Sequence, residues 1–240
     1  MTNKHEMLAK LNEQSQQRQH AFLDGIANRL GRPRLTEKPA HPHRGAPDFW
    51  QRYEISEEER VALFVHNWNG LGGIVRRFSE KEALSAFVAE VADTLGAKNL
   101  VRWDHELLQD LNVEARLPHV EMTVWNSDDA LNLKAKAAGA DIGIVVADHA
   151  IAQTGTVCVT SDAGKGRSVS LLPTALITII QVEDLKTRMG EVLTALQTQY
   201  GTTLPAGVHF ITGPSRSADI ENDLTIGVHG PGIVYALLLG

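Results

Sequence analysis

Short apolar runs rich in β-branched residues alternate with amphipathic segments along most of this chain. The runs predict strands near residues 73–78, 100–103, 121–125, 142–146, 155–160, 176–182, 208–212 and 233–239. Helical spacing between them predicts helices over 79–95, 130–138 and 183–200. This alternation is typical of an α/β fold, in which a largely parallel sheet is covered by helices on both faces.

Two capping boxes support these helix assignments. Ser56 with Glu59 precedes one apolar periodic segment, and Ser79 with Glu82 precedes another. In such a pair the serine side chain and the glutamate each satisfy a backbone N–H at the start of a helix. We therefore expect helices to begin at both places.

The first 48 residues have a different pattern. From Met7 to Leu30 the apolar positions lie at the two ends of a helix-prone segment, and Gly31 is placed to end that helix. The following stretch carries prolines at 33, 39, 42 and 47, which indicates an extended linker. We therefore divide the chain into a helical N-terminal arm with a Pro-rich linker (1–48) and an α/β domain (49–240). The arm either contacts another subunit or wraps onto its own domain.

Composition excludes several classes of function. A net charge of −6 lacks the basic character of a nucleic-acid-binding protein. A single cysteine, Cys158, cannot supply a four-thiolate iron–sulfur or zinc site, and the histidines lack ligand spacing, so we expect no metal site. Because no stretch has the length and apolarity of a membrane span and the N-terminus is polar, we expect a cytoplasmic protein.

Loops that follow predicted strands are the first candidates for a ligand site, because open α/β sheets bind ligands beyond the carboxyl ends of their strands. The turn Thr154-Gly155-Thr156 offers two hydroxyls on a backbone that a ligand can approach closely. The alternative is a turn whose hydroxyls bond only to their own backbone.

A second loop, 213–220, follows another predicted strand. Ser215 or Ser217 is placed to cap a short helix there, whose free N–H groups beside the Arg216 guanidinium would suit a phosphate or carboxylate. The alternative is an ion pair between Arg216 and an acid such as Asp219.

A third loop, 227–232, is rich in glycine and contains His229, which is either a general acid/base or a turn residue. Lys165 and Arg167 lie on a glycine-containing turn that lacks the phosphate-loop pattern, where solvated charge is the alternative. We expect the first three loops to converge on one anion-sized pocket at the carboxyl edge of the sheet. The candidate anion- or substrate-binding residues are Thr154, Gly155, Thr156, Arg167, Gly213, Ser215, Arg216, Ser217, Asp219, Gly227, His229, Gly230 and Gly232.

Several motifs in these loops carry a family likeness. The segments 140–156, 166–173, GPSRSADIE at 213–221 and GVHGPG at 227–232 occur in order within roughly residues 60–239. Together they resemble the lactate utilization protein C family with its LUD domain. The resemblance implies a fold related to the ribose-5-phosphate isomerase, glucosamine-6-phosphate deaminase and CoA-transferase group. It also implies a role in oxidising L-lactate to pyruvate alongside two partner proteins, at least one with iron–sulfur clusters, while this chain carries no cofactor of its own.

One residue departs from the family motif, which usually has Glu where this chain has Gln153. An amide cannot act as a carboxylate nucleophile or general base at neutral pH. Two hypotheses therefore remain. In the first, the chain is an accessory or ligand-binding subunit of a lactate-oxidising system. In the second, it is a stand-alone enzyme acting on an acyl, CoA or phosphosugar substrate, with His229, Asp219 and Arg216 as its chemistry.

Overall fold

A computed structural model describes residues 2–37, 55–126, 132–218 and 223–240 of the chain. These residues form two compact units, Met1–Tyr53 and Glu54–Gly240. In the first unit, helix α1 spans Thr2–Arg29, and Gly31 at φ +61° ends it as predicted. The linker expected over 32–48 is described only to residue 37, where it has no regular secondary structure.

A six-stranded sheet forms the centre of the second unit, and all of its neighbouring strands are parallel. The predicted α/β class is therefore confirmed. Its strands are β1 (Ile74–Phe78), β2 (Asn99–Trp103), β3 (Glu121–Trp125), β4 (Ile142–Val146), β7 (Ala175–Gln181) and β12 (Ile233–Leu239). They lie in the order β1-β12-β7-β4-β2-β3. The last strand of the chain is thus inserted between the first strand and β7.

In the described part of this unit, six helices accompany the strands, and most of them bury apolar side chains in the main core, whereas α7 packs against Ile151 and Cys158. They are α2 (Glu57–Gly70), α3 (Lys81–Thr94), α4 (Glu106–Leu111), α5 (Leu133–Ala138), α6 (Ser168–Leu171) and α7 (Met189–Tyr200). The core consists largely of the sheet's aliphatic residues together with the fully buried rings of Phe64, Trp68 and Trp103. Phe64 and Trp68 stack on each other along one face of α2, with centroids 5.6 Å apart, and the burial of both rings attaches α2 to this core.

A smaller four-stranded sheet of order β8-β5-β6-β9 adjoins the main one. It comprises β5 (His149–Ile151), β6 (Thr156–Ser161), β8 (Leu185–Lys186) and β9 (Gly207–Ile211). Helix α7 begins at Met189 rather than at residue 183, because residues 182–186 form a 3₁₀ turn and strand β8.

Two local predictions are wrong. The box at Ser79 does not form, since α3 begins one residue later than the box requires and its N-cap, Glu80, makes no side-chain cap hydrogen bond. The short helix expected after Gly213 is instead strand β10 (Arg216–Ala218), which pairs with β11 (Leu224–Ile226) in an antiparallel hairpin. Neither Ser215 nor Ser217 therefore caps a helix.

Candidate functional site

The threonine turn is fixed against the end of helix α2. The Asn67 amide donates to the carbonyls of Ala152 and Gln153 at 2.9 and 3.0 Å. Gly155 adopts φ +57°, and a Cβ there would lie 2.8 Å from the backbone nitrogen of Trp68. The close approach that requires glycine at this position is therefore an approach to the protein's own helix.

Three threonine hydroxyls form a hydrogen-bonded chain across this region. Thr156 Oγ1 lies 2.8 Å from the hydroxyl of Thr154 and 2.8 Å from that of Thr212. Thr156 is buried and Thr154 is exposed. The hydroxyls thus link β6 to the end of β9 and bring the first two predicted loops together.

Arg216 approaches the carboxyl end of the same helix. Its guanidinium donates a short hydrogen bond to the carbonyl of Leu71, directly after α2. Gly213, at φ +72°, packs against Leu71 as well, where a Cβ would come within 2.9 Å of the Leu71 Cβ. A cation at the C-terminus of a helix is stabilised by the orphan carbonyls and the macrodipole, so this contact is structural in form.

The glycine loop borders an open groove of about 670 Å³. Its backbone is tied to the neighbouring loops, since Ser215 donates to the Pro231 carbonyl at 2.9 Å and Gly232 donates to the Thr174 carbonyl at 3.0 Å. Gly227, exposed His229, Gly230 and Gly232 line the groove with Thr174 and apolar side chains. The other lining residues are Leu171, Leu172, Pro173, Ile226 and Val228.

The three predicted loops are neighbours, but of them only the glycine loop lines the groove, and the groove is not at the predicted edge. The glycine loop directly precedes β12, and Thr174 directly precedes β7, so the groove lies at the amino ends of these parallel strands. The expectation of a carboxyl-edge pocket is therefore wrong: strand-end loops share an edge only when they leave the strands in the same sense. Arg216 does not line the groove, Ser217 pairs with Thr225 in the hairpin, and Asp219 lies outside the described residues.

Arg167 lies apart from this group. It is exposed at the start of α6, and its charge, together with burial, lowers the pKa of His209 on β9. Burial is the larger of the two causes. Arg167 is not among the residues that line the groove.

A second cluster, which the sequence interpretation missed, lies at the carboxyl edge of the sheet. The chain passes outward from β2 to β3 but in the opposite direction from β4 to β7 and β12. The gap between β2 and β4 is therefore the topological switch point, the usual ligand position in open α/β sheets. Asp104 and His105 follow β2 directly, and Asp148 follows β4 by two residues.

An ion pair is at the centre of this cluster. Lys165 Nζ lies 2.8 Å from Asp148 Oδ1, and the two side chains are only 20% and 11% exposed. The other Asp148 oxygen accepts the Thr160 backbone N–H at 2.6 Å and its hydroxyl at 3.0 Å. Asp148 is thus held by three donors, and Lys165 is held over the Trp103 ring at 5.8 Å.

His105 adds a neutral imidazole to the cluster. Its Nδ1 accepts the Leu107 N–H at 3.2 Å, which caps α4 and leaves Nε2 as the N–H donor. Burial and, to a lesser extent, the Lys165 charge lower the pKa of His105, so the ring is uncharged at neutral pH. The sequence signal for this site was the position of Asp148 just after a fully apolar strand, but its partner Lys165 could be recognised only from the fold.

Among the described residues, no group of three or more His, Cys, Asp or Glu side chains is arranged to hold a metal ion. Cys158 lies within β6, and burial raises the pKa of its thiol to about 12. Within the same part of the chain, no helix is long and apolar enough to cross a membrane.

Comparison with known proteins identifies the family. The model of the LUD domain matches residues 61–239. Lactate utilization protein C of Shouchella clausii is 36% identical over 88% of this chain and 93% of its own. The Bacillus subtilis protein of the same name is 31% identical over 90% of this chain and 93% of its own.

A solved structure shows the same fold at lower identity. The crystal structure of a DUF162 family protein from Deinococcus radiodurans superimposes with a TM-score of 0.59 at 19% identity. It covers 78% of this chain and all of the Deinococcus chain. On the evidence of its sequence relatives and of this shared fold, the chain belongs to the LUD domain family.

Proposed function

We propose that this chain acts in lactate utilization, as an accessory or ligand-binding subunit of a cytoplasmic system that oxidises L-lactate to pyruvate. The observation that carries the proposal is the similarity to proteins named lactate utilization protein C over about nine-tenths of both chains. The fold alone would not support it, since one fold hosts many functions.

The glutamine at position 153 supports the accessory role. The Gln153 backbone N–H donates to the Thr187 carbonyl at 3.1 Å, and the Gln153 carbonyl accepts from the Asn67 side-chain amide. Gln153 itself is exposed. The backbone of this position thus fixes the threonine turn, and an amide side chain offers no acid or base for chemistry.

In this proposal the iron–sulfur clusters belong to partner proteins. The one cysteine of the chain is buried and its raised pKa keeps it a thiol, whereas iron–sulfur ligation needs several thiolates. Freshly isolated protein should therefore contain far less than one iron per chain by elemental analysis. Iron near one atom per chain would contradict this assignment.

Helix α1 offers a surface for such a partner. Met7, Leu8 and Leu11 near one end are 49–63% exposed, and Phe22 near the other is 69% exposed. A long helix with so little buried surface gains stability mainly from what packs against it. Removal of residues 1–48 should weaken co-purification with the iron–sulfur partners from lactate-grown cells, and unchanged recovery would contradict a contact role for the arm.

Growth on lactate tests the main proposal. Deletion of the gene should prevent growth on L-lactate as sole carbon source and leave growth on glucose intact. Normal growth of the deletion strain on lactate, in the absence of a second homologue, would overturn it.

Arg216 provides the residue-level test. In the deletion strain, Arg216→Ala should fail to restore growth on lactate, because we propose that this guanidinium, although it lies outside the groove of the glycine loop, supplies the cation for an anionic ligand of its own loop. Arg216→Lys keeps the charge and should restore growth in part. Both variants must show the native unfolding midpoint, since Arg216 also contacts Leu71. Full restoration by a stably folded Arg216→Ala would remove Arg216 from the function.

A second candidate is a stand-alone enzyme acting on an acyl, CoA or phosphosugar substrate. The observation that favours it is the Lys165–Asp148 pair at the switch point, where α/β enzymes place their chemistry. Turnover by the isolated chain on any such substrate would support this candidate over the accessory role.

A further inference from the structure

A partly buried ion pair such as Lys165–Asp148 contributes little net free energy to folding. Removing two charges from water costs several kcal/mol per ion, and the attraction within the pair often does no more than offset that cost. Here the pair is also held by a second layer of contacts: the Tyr200 hydroxyl donates to the Thr160 hydroxyl at 3.3 Å, and that hydroxyl donates to Asp148. Such support positions the lysine, which is what a ligand site requires.

The turn that carries Lys165 is equally fixed. Asp162 Oδ1 accepts the backbone N–H groups of Gly164 and Lys165 at 2.8 and 2.9 Å. The Gly164 carbonyl accepts the Asp104 N–H at 3.1 Å, and the Gly166 carbonyl accepts the Trp103 indole N–H at 2.9 Å. The turn is thus attached to the carboxyl end of β2, on one side of the switch point.

Lys165 and His105 have more N–H donors than the structure gives them hydrogen-bond acceptors. An ammonium has three N–H donors, and the structure gives Lys165 Nζ one hydrogen bond, to Asp148. Neutral His105 adds its Nε2–H, and this residue is partly exposed. Donors of this kind bind an oxygen of a ligand.

The charges around the Lys165–Asp148 pair determine whether the ligand that supplies this oxygen is an anion or an uncharged compound. Asp148 neutralises Lys165. Apart from that pair, the charges that act on His105 are those of Glu106, the next residue in the chain, and of Asp162 on the turn that carries Lys165, and both are acidic. Asp104 adds a further exposed carboxylate whose Oδ1 accepts from Gln109 at 2.8 Å. The surroundings therefore carry an excess of negative charge, which disfavours a free anion and favours an uncharged ligand.

We propose that the switch point between β2 and β4 is a second ligand site, in which Lys165 and His105 donate hydrogen bonds to the carbonyl or hydroxyl oxygens of a small uncharged compound. The site is separate from the Arg216 loop and does not depend on the role in lactate utilization. It gives the two ends of the sheet different chemistry, with a cation at the amino end and an acid-surrounded polar site at the carboxyl end.

Calorimetric titration of the full chain with dihydroxyacetone tests this proposal. Saturable binding is expected, and L-lactate and pyruvate, which carry a carboxylate, should bind the same site at least tenfold more weakly. Tighter binding of either anion at Lys165 would overturn the assignment to uncharged ligands, and no binding of dihydroxyacetone would overturn the site.

Variants locate the binding. Lys165→Met should abolish it, but that variant leaves Asp148 as an unpaired buried charge, which is destabilising. The double variant Asp148→Asn with Lys165→Met removes both charges and should fold, and it should also lose dihydroxyacetone binding by at least tenfold. The control is Lys134→Met on the exposed face of α5, which should bind as the native chain does. Native affinity in the double variant would overturn the proposal.

Discussion

At the scale of single residues, close contacts explain why glycine stands where it does. Gly155 combines a left-handed backbone with contact to the Trp68 and Asn67 backbone, whereas Gly190 in α7 has nothing within 4 Å of an added Cβ. The sequence marks Gly155 only as a turn glycine in a candidate ligand loop and does not distinguish Gly190. Their different demands follow from contacts that only the folded chain makes.

Gly155→Ala should lower the free energy of unfolding by about 1–3 kcal/mol, because the added methyl group meets helix α2 and a left-handed backbone disfavours any side chain. Urea unfolding followed by tryptophan fluorescence measures the change.

Gly190→Ala is the matched control. It adds the same methyl group in open space and should be neutral or stabilise by up to about 1 kcal/mol. Equal effects of the two substitutions would contradict the steric account of Gly155.

At the scale of elements, the two predicted capping boxes had different outcomes. Ser56 is the N-cap of α2, its hydroxyl accepts the Glu59 N–H, and Glu59 in turn accepts the Ser56 N–H at 2.8 Å. Ser79 has the same sequence spacing to Glu82, but α3 begins at Lys81 and the box is not made. Spacing identifies a possible cap, and the length of the preceding turn decides whether it forms.

Ser56→Ala should therefore cost about 0.5–2 kcal/mol of unfolding free energy, and Ser79→Ala should change it by much less. Hydrogen bonds from Ser56 lower the pKa of Glu59, so this contribution is present above the ordinary glutamate pKa and is lost as pH falls through the folded value. The difference between native and Ser56→Ala proteins should shrink on going from pH 7 to below about pH 4. A difference that is constant over this range would contradict the capping-box contribution.

The elements that the sequence interpretation missed are short ones. The six parallel strands were recognised from short runs rich in apolar and β-branched residues, which are fully buried in β4 and only partly buried in β1 and β3. Strand β10 of the hairpin was predicted as the start of a helix because Ser215 and Ser217 are good N-cap residues. Its three residues form a strand because they pair with Leu224–Ile226, and the sequence pattern did not indicate that pairing. Helix α4 was missed because it is only six residues long.

At the scale of the whole molecule, strand order determines where ligand chemistry lies. Local patterns predicted which segments are strands and that several polar loops come together, but not the order β1-β12-β7-β4-β2-β3. Without that order the switch point cannot be located. From the sequence alone, Asp148 is therefore interpreted as an acid in a loop and Lys165 as a solvated lysine, although the fold pairs these two residues, which lie 17 positions apart.

The cooperative unit can be tested through β12. Leu237→Ala in this strand removes a fully buried side chain that lies between β1 and β7, and it should cost about 2–5 kcal/mol. Because the sheet unfolds as a whole, fluorescence and circular dichroism should report the same shifted midpoint. Leu193→Ala on α7, where the side chain is 50% exposed, is the control and should cost well under half as much. Separate transitions for the two probes would show that the unit is not cooperative.

Because β12 lies between β1 and β7, the main sheet can be completed only at the end of translation. During translation β1 leaves the ribosome more than 150 residues before β12, which is the strand that β1 pairs with in the described part of the chain. Until residues 233–239 emerge, both β1 and β7 present unpaired edges, which other nascent chains can join. The edge of β1 is therefore exposed to aggregation while more than 150 of the 240 residues are added, which is the interval in which a chaperone would protect the nascent chain.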